Sequence, residues 1–183
     1  MTYIAVCGPG RAGEEEEAWA EVVGREIARA GAVLVCGGLG GVMDAAARGA
    51  REEGGTVVGI LPGETRAGAS PHLTVALPTD MGEARNVLVV RAADAVIAIA
   101  GKFGTLSEIA LALKMGKPVV GLATWKLARP GGKEDALPQV ETPEGAVAAA
   151  LELAGHEAPS PAPPRRSTVE RDRKRRRHHG RHH

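Results

Sequence analysis

The stretch Gly101-Lys102-Phe103-Gly104-Thr105-Leu106-Ser107-Glu108 follows an apolar run, Ala95 to Ala100, and opens a helix-like segment. A strand-to-helix junction of this composition suits the holding of an anion. The first backbone N–H groups of a helix have no intrahelical partner and carry the positive end of its dipole, and glycine lets a phosphate come close to them. Gly101, Gly104 and Thr105 are therefore candidates for holding phosphate, with Lys102 and Phe103 beside them. Glu108 stands one turn further on, where a carboxylate can act on whatever the loop holds. Spacing alone leaves Glu108 another role, because Thr105-Leu106-Ser107-Glu108 also reads as a T-x-x-E capping box that only satisfies the backbone of Thr105.

Two more glycine-rich loops follow strand-like runs. Gly8-Pro9-Gly10-Arg11-Ala12-Gly13 spells G-x-G-x-x-G, the dinucleotide fingerprint. Its second requirement is missing: an acidic residue about 20 positions on should hold a ribose hydroxyl, and Cys36-Gly37-Gly38 stands there instead. Glu14 to Glu17 also crowd the start of the next helix, favouring its dipole but repelling a pyrophosphate. The loop reads as a tight turn before an acid-capped helix. In the other loop, Gly37, Gly38, Gly40 and Gly41 surround Leu39, which suits close approach either to a ligand or to a neighbouring loop. Met43 and Asp44, just inside the following helix, are its side chains expected to face the crevice. No Walker A motif is present.

These loops need a frame, and the apolar pattern supplies one. Tyr3 to Cys7, Val33 to Cys36, Thr56 to Leu61, Thr74 to Leu77, Ala95 to Ala100 and Val119 to Leu122 read as strands. Between and after them, Glu15 to Ala30, Val42 to Glu53, Gly82 to Ala92, Thr105 to Met115 and Pro143 to Leu153 read as helices. Continuous apolar strands alternating with helices predict an α/β fold, a single Rossmann-like doubly wound domain with a mostly parallel sheet and helices on both faces. All three glycine-rich loops then fall at the carboxyl edge of the strands, where one crevice can gather them. Segments 62–73 and 123–142 are the longer loops.

With 183 residues, 44% of them hydrophobic, the chain is long enough for one such domain, expected over residues 1–155, and a tail over 156–183. The tail opens with four prolines between Ala158 and Pro164, which predicts an extended linker. Residues 165–183 then carry 9 Lys/Arg against 2 acidic residues, so the net charge of +1 combines a basic tail with an acidic body. The cluster Arg171 to Arg177 offers phosphate neutralisation for nucleic acid, but no aromatic residue is interleaved for base stacking, and a solvated tail is the favoured reading. His178, His179, His182 and His183 lack the carboxylate or thiolate partners of a closed metal site, so no metal or resident cofactor is expected. The only two cysteines, Cys7 and Cys36, fit buried reduced thiols in a cytoplasmic protein, and no apolar run approaches the ~20 residues that span a bilayer.

Met81-Gly82-Glu83-Ala84-Arg85-Asn86, the strand from Asp94 to Ala100 and the loop Gly101 to Glu108 together resemble the LOG family, as does Gly37-Gly38-Leu39-Gly40-Gly41-Val42-Met43 with Ala45-Ala46. The resemblance covers roughly residues 2–155. It implies cleavage of nucleoside 5′-monophosphates to a free base and ribose 5-phosphate, with Arg85 and Glu108 as catalytic residues, no cofactor, and a homodimer. The family signature P-G-G-x-G-T-x-x-E is met at Gly101, Gly104, Thr105 and Glu108 but departs at Ala100 and Lys102. Lys102 either distorts the loop or adds a charge beside the phosphate. The chain is also similar to the molybdenum cofactor carrier proteins, which bind a phosphate-bearing pterin without turning it over. The favoured reading is therefore the hydrolase, with a carrier that holds its ligand without chemistry as the alternative, both taking a phosphorylated small molecule.

Overall fold

The computed structural model describes residues 1–132 and 137–155. The tail expected over 156–183 lies outside the described residues. Seven strands form one sheet: β1 (Tyr3–Cys7), β2 (Val33–Cys36), β3 (Val57–Leu61), β4 (Val75–Pro78), β5 (Ala95–Ile99), β6 (Val119–Leu122) and β7 (Gln139–Val140). Their order is β4-β3-β2-β1-β5-β6-β7, and every pairing is parallel. This is the doubly wound α/β fold that the alternating pattern predicts. The two-residue β7 was not foreseen, because a pair of residues carries no period.

Among the described residues five helices cover the sheet: α1 (Glu14–Arg29), α2 (Val42–Glu52), α3 (Asn86–Ala92), α4 (Phe103–Lys114) and α5 (Pro143–Leu153). Strand alternation assigns them to two faces. Ile4 and Val6 of β1 and Ile97 and Ile99 of β5 pack with α1, α2 and α5, whereas Ala5 and Cys7 and then Val96 and Ala98 face α3 and α4. These side chains are all at most 2% exposed, so β1 and β5 are buried on both faces and each reads as a continuous apolar run. Helices α1 and α2 meet backbone to backbone. A Cβ on Gly24 would stand 1.9 Å from the Ala46 carbonyl oxygen, and one on Gly49 would stand 2.0 Å from that of Glu21. Salt bridges of Arg25 with Glu52 and of Arg48 with Glu21 join the exposed sides of the pair.

Two expected helices change their limits. The segment 82–92 divides into a 3₁₀ turn, Gly82–Arg85, and α3, so Arg85 ends one element and Asn86 begins the next. Helix α4 begins at Phe103 with Lys102 as N-cap, two residues before the expected start. The cause lies in the backbone: Ala100 and Gly101 both have positive φ, +46° and +100°, which turns the chain sharply off β5 and lets the helix begin at once. Thr105 is thus the third helical residue, and the capping box expected over Thr105 and Glu108 does not form. Among the described residues no helix is long and apolar enough to cross a membrane.

Candidate functional site

Strand order reverses between β1 and β5, since the chain winds outward from β1 through β2 on one side and from β5 through β6 on the other. Loops leaving adjacent strands in opposite directions open a crevice at the carboxyl edge. A cavity of about 450 Å³ occupies it, within the usual range for small-molecule sites. Pro9, Gly10 and Arg11 line it from the β1–α1 loop, and Leu39 and Met43 from the β2–α2 connection. Lys102, Gly104, Thr105 and Glu108 line it from the start of α4, and Arg85 and Asn86 from the turn before α3.

The start of α4 leaves its first backbone N–H groups without a side-chain cap. Its first intrahelical bond runs from the Leu106 N–H to the Lys102 carbonyl at 3.0 Å. The N–H groups of Phe103, Gly104 and Thr105 precede that bond and have no partner within the helix. A Cβ on Gly104 would meet nothing within 4 Å, so the space before the first turn is open. Lys102 has φ −116°, outside the left-handed region that favours glycine, and stands at the cavity wall. Ala100, with φ +46°, occupies a conformation that a proline ring, fixed near −65°, could not enter. The strict glycine is Gly101, where a Cβ would come within 2.3 Å of the Thr105 side chain.

Arg85 is buried, 8% exposed, and serves as a brace. Its Nε donates to the Ile60 carbonyl at 2.9 Å, one Nη donates to the Gly37 carbonyl at 3.4 Å, and the other donates to the Asn86 side-chain oxygen. A Cβ on Gly37 would stand 2.7 Å from the guanidinium, so this glycine makes room for the arginine. Glu108 is equally buried, on the cavity floor. Burial pushes its carboxyl up to about 7, against the opposing influence of a hydrogen bond from the Cys7 thiol and the charge of Arg85. Near neutral pH this group exchanges a proton readily, as a general acid or base must. The Cys7 thiol is held well above its usual range by burial and by the adjacent Glu108 charge, and burial pushes Cys36 up to about 11. Both cysteines are unpaired, and in this protonated form they are poor nucleophiles.

The fold brings Arg85, Glu108, Lys102, Gly104, Thr105 and Met43 to one cavity. Other candidates stand elsewhere. Gly38, Gly40 and Gly41 pack the loops together: a Cβ would meet Leu61 at 2.6 Å, the Gly10 carbonyl at 3.2 Å and the Pro9 carbonyl at 2.3 Å, respectively. Asp44, expected to face the crevice, instead accepts hydrogen bonds from Ser70 at 2.6 Å and His72 at 3.0 Å and pins the 62–73 loop to α2. Those two bonds, with the charges of His72 and Arg48, hold its carboxyl below the usual range despite the opposing effect of burial. Phe103 is 79% exposed, its ring centroid 5.9 Å from that of Trp125. Sequence reasoning did not single out Arg11, Asn86 or Cys7 as site residues. Asn86 closed a recognised motif, and Arg11 was the one cation in a loop set aside for lacking the dinucleotide acid. Cys7 gave no signal beyond its place at the end of a strand.

The family model of the SLOG cluster4 family matches residues 1–149. An uncharacterized protein of Archaeoglobus fulgidus is 45% identical over 147 residues, covering 80% of this chain and 93% of its own. The molybdenum cofactor binding protein of the phototrophic bacterium Rippkaea orientalis is similar in structure, with TM-score 0.75 and 33% identity over 83% of this chain and 96% of that one. The molybdenum cofactor carrier protein of Chlamydomonas reinhardtii, also 33% identical, gives a TM-score of 0.74 over 84% of this chain and 98% of that one. The doubly wound sheet, the crevice at its strand reversal and these matches lead to one assignment: the chain belongs to the SLOG cluster4 family.

Proposed function

We propose that this protein binds a phosphorylated, ring-bearing small molecule of the pterin-cofactor class and holds it as a carrier. The observation that carries this reading is the uncapped first turn of α4, which lines the cavity together with the cations Arg11 and Lys102. There the N–H groups of Gly104 and Thr105 take the phosphate as a fixed handle. Arg85 keeps its guanidinium on protein carbonyls and shapes the wall against which the ring lies. The likeness to a molybdenum cofactor binding protein and a carrier protein along nearly their whole lengths supports a pterin as the ring. The test is anaerobic incubation with molybdenum cofactor released from a molybdoenzyme, followed by gel filtration. Molybdenum and pterin should co-elute with the protein and be lost in Gly104→Val, whose side chain fills the open space before α4. No co-elution with the unaltered protein would reject the carrier. Light scattering on the same column reads the homodimer that the LOG resemblance implies.

One observation favours a second reading, hydrolysis of a nucleoside 5′-monophosphate: Glu108 sits on the cavity floor with its carboxyl near 7. In that reading Glu108 takes a proton from water as the water oxygen bonds to the anomeric carbon, and the C–N bond breaks with its electrons passing to the base. Its charge also stabilises the cationic character that develops on the ribose. Free base released from AMP, GMP, CMP or UMP, and absent in Glu108→Ala, is the result this reading requires.

A further inference from the structure

A second cavity, of about 530 Å³, lies on the other side of the β5–α4 loop, and Pro9, Arg11 and Lys102 belong to the linings of both. The two spaces are therefore lobes of one crevice that crosses the strand reversal, with two cations on the rim between them. The far lobe has a wall of its own kind. After β6 the chain turns through Ala123, which has φ +50°, and runs along the lobe as Thr124 and Trp125. Three bonds fix that wall: Thr124 donates to the Ala100 carbonyl, Trp125 Nε1 donates to the Lys102 carbonyl at 3.0 Å, and Gln139 donates to the Trp125 carbonyl at 2.9 Å. The Phe103 ring lies beside Trp125 and is open to solvent. The chain contains only four aromatic residues, 2 Trp, 1 Tyr and 1 Phe, so two of them meeting here concentrates its stacking surface at one place. Glu16, the acid in this lining, already accepts from the Gly13 N–H at 3.3 Å. Its carboxylate suits a sugar hydroxyl and disfavours a phosphate, which leaves the phosphate to the rim.

We propose that the far lobe is a second ring subsite. The ligand class of the whole crevice is then a two-headed, phosphate-linked compound of the dinucleotide type, with one ring in each lobe and its bridging phosphates on Arg11, Lys102 and the start of α4. This rests on the reading that phosphate binds at α4, and it extends that reading to what lies beyond the phosphate. It differs from dinucleotide binding at the G-x-G-x-x-G loop, because the phosphates take their N–H groups from the start of α4 and not from that of α1, and the first loop contributes only the Arg11 side chain. A stacked base adds an increment that corresponds to about tenfold or more in affinity.

Calorimetric titration with AMP and with di(adenosine-5′) diphosphate, on the unaltered protein and on Trp125→Ala and Gly104→Val, tests this. The two-headed compound should bind at least about tenfold more tightly than AMP. Trp125→Ala should remove that advantage, weakening the two-headed compound about tenfold more than AMP, and Gly104→Val should weaken both. Equal affinity for the two compounds, or a loss in Trp125→Ala shared equally by both, would overturn the far lobe while leaving phosphate binding intact. Binding of neither compound would overturn the dinucleotide class proposed here, whereas the α4 reading itself stands or falls with the co-elution of molybdenum and pterin.

Discussion

Replacing Glu108 by glutamine should stabilise the fold above neutral pH, although it removes a charge beside an arginine. The Glu108 carboxyl moves from 4.5 to about 7 on folding, so burial outweighs both the Cys7 hydrogen bond and the Arg85 charge. Between those values the native state holds more protons than the unfolded chain, and stability falls as pH rises through the window. The contribution is fully present below 4.5 and lost above 7. The difference between those limits corresponds to roughly 2–4 kcal/mol. Glutamine keeps the shape and can still accept from the Cys7 thiol, but it has no charge to desolvate. Urea denaturation of both proteins at pH 5, 6, 7 and 8 reads the effect, with other titrating groups cancelling in the comparison. The variant should be more stable by roughly 2–4 kcal/mol at pH 8, with the gap closing toward pH 5. A variant no more stable than the unaltered protein at pH 8, or a gap independent of pH, would refute the assignment of a destabilising buried charge. The same variant separates the two functions, because a carrier should still hold its phosphate ligand and a hydrolase should release no base.

Removing the thiol in Cys7→Ala deletes an interaction that lowers the Glu108 carboxyl, so its titration, followed by carboxyl NMR, should move above 7. A downward move would show that the thiol does not stabilise the charged form. Gly49→Ala places a methyl 2.0 Å from the Glu21 carbonyl oxygen at the α1–α2 contact and should lower the urea midpoint by an amount equivalent to about 3 kcal/mol or more. Asp44→Ala unpins Ser70 and His72, and limited proteolysis should then cut within residues 62–73 faster than in the unaltered protein, with overall stability falling by about 1–3 kcal/mol. Unchanged cleavage would mean that the loop is held by other contacts, such as the bond from the Ser70 N–H to the Gly38 carbonyl.

Strands β1, β2, β5 and β6 were legible because they are buried on both faces, so a short unbroken apolar run sufficed to mark them. The start of α4 was not, because it depends on the positive φ of Ala100, and alanine signals nothing of the kind. That single conformation turned an apparent capping pair into a buried threonine in the first turn and a buried glutamate below it. The direction of Asp44 was hidden for a related reason. Its partners, Ser70 and His72, come from a loop with no period to read, and a short-range motif cannot report a contact 26 or 28 residues away. Loop glycines carried mixed information: Gly37 makes room for the Arg85 brace, whereas Gly38, Gly40 and Gly41 let neighbouring backbones meet.

A purely structural role for the Arg85–Glu108 region has to explain why several unfavourable features coincide. A glutamate lies buried with its carboxyl at about 7, an arginine is buried on backbone carbonyls, and an alanine sits in the left-handed region, all within the loops around one cavity. Each costs stability, and an apolar side chain in place of Glu108 would cost less. The core has no need of them, since the helices on both faces already close over strands that are almost wholly buried. Asp80 and Ala123 share the positive φ of Ala100, so strain alone marks no site, but a buried glutamate and a buried arginine meeting at the strand reversal are what the ligand site proposed there requires. The glutamine variant separates the accounts: a gain in stability joined to a loss of turnover identifies Glu108 as functional, and a loss of stability alone assigns it to packing.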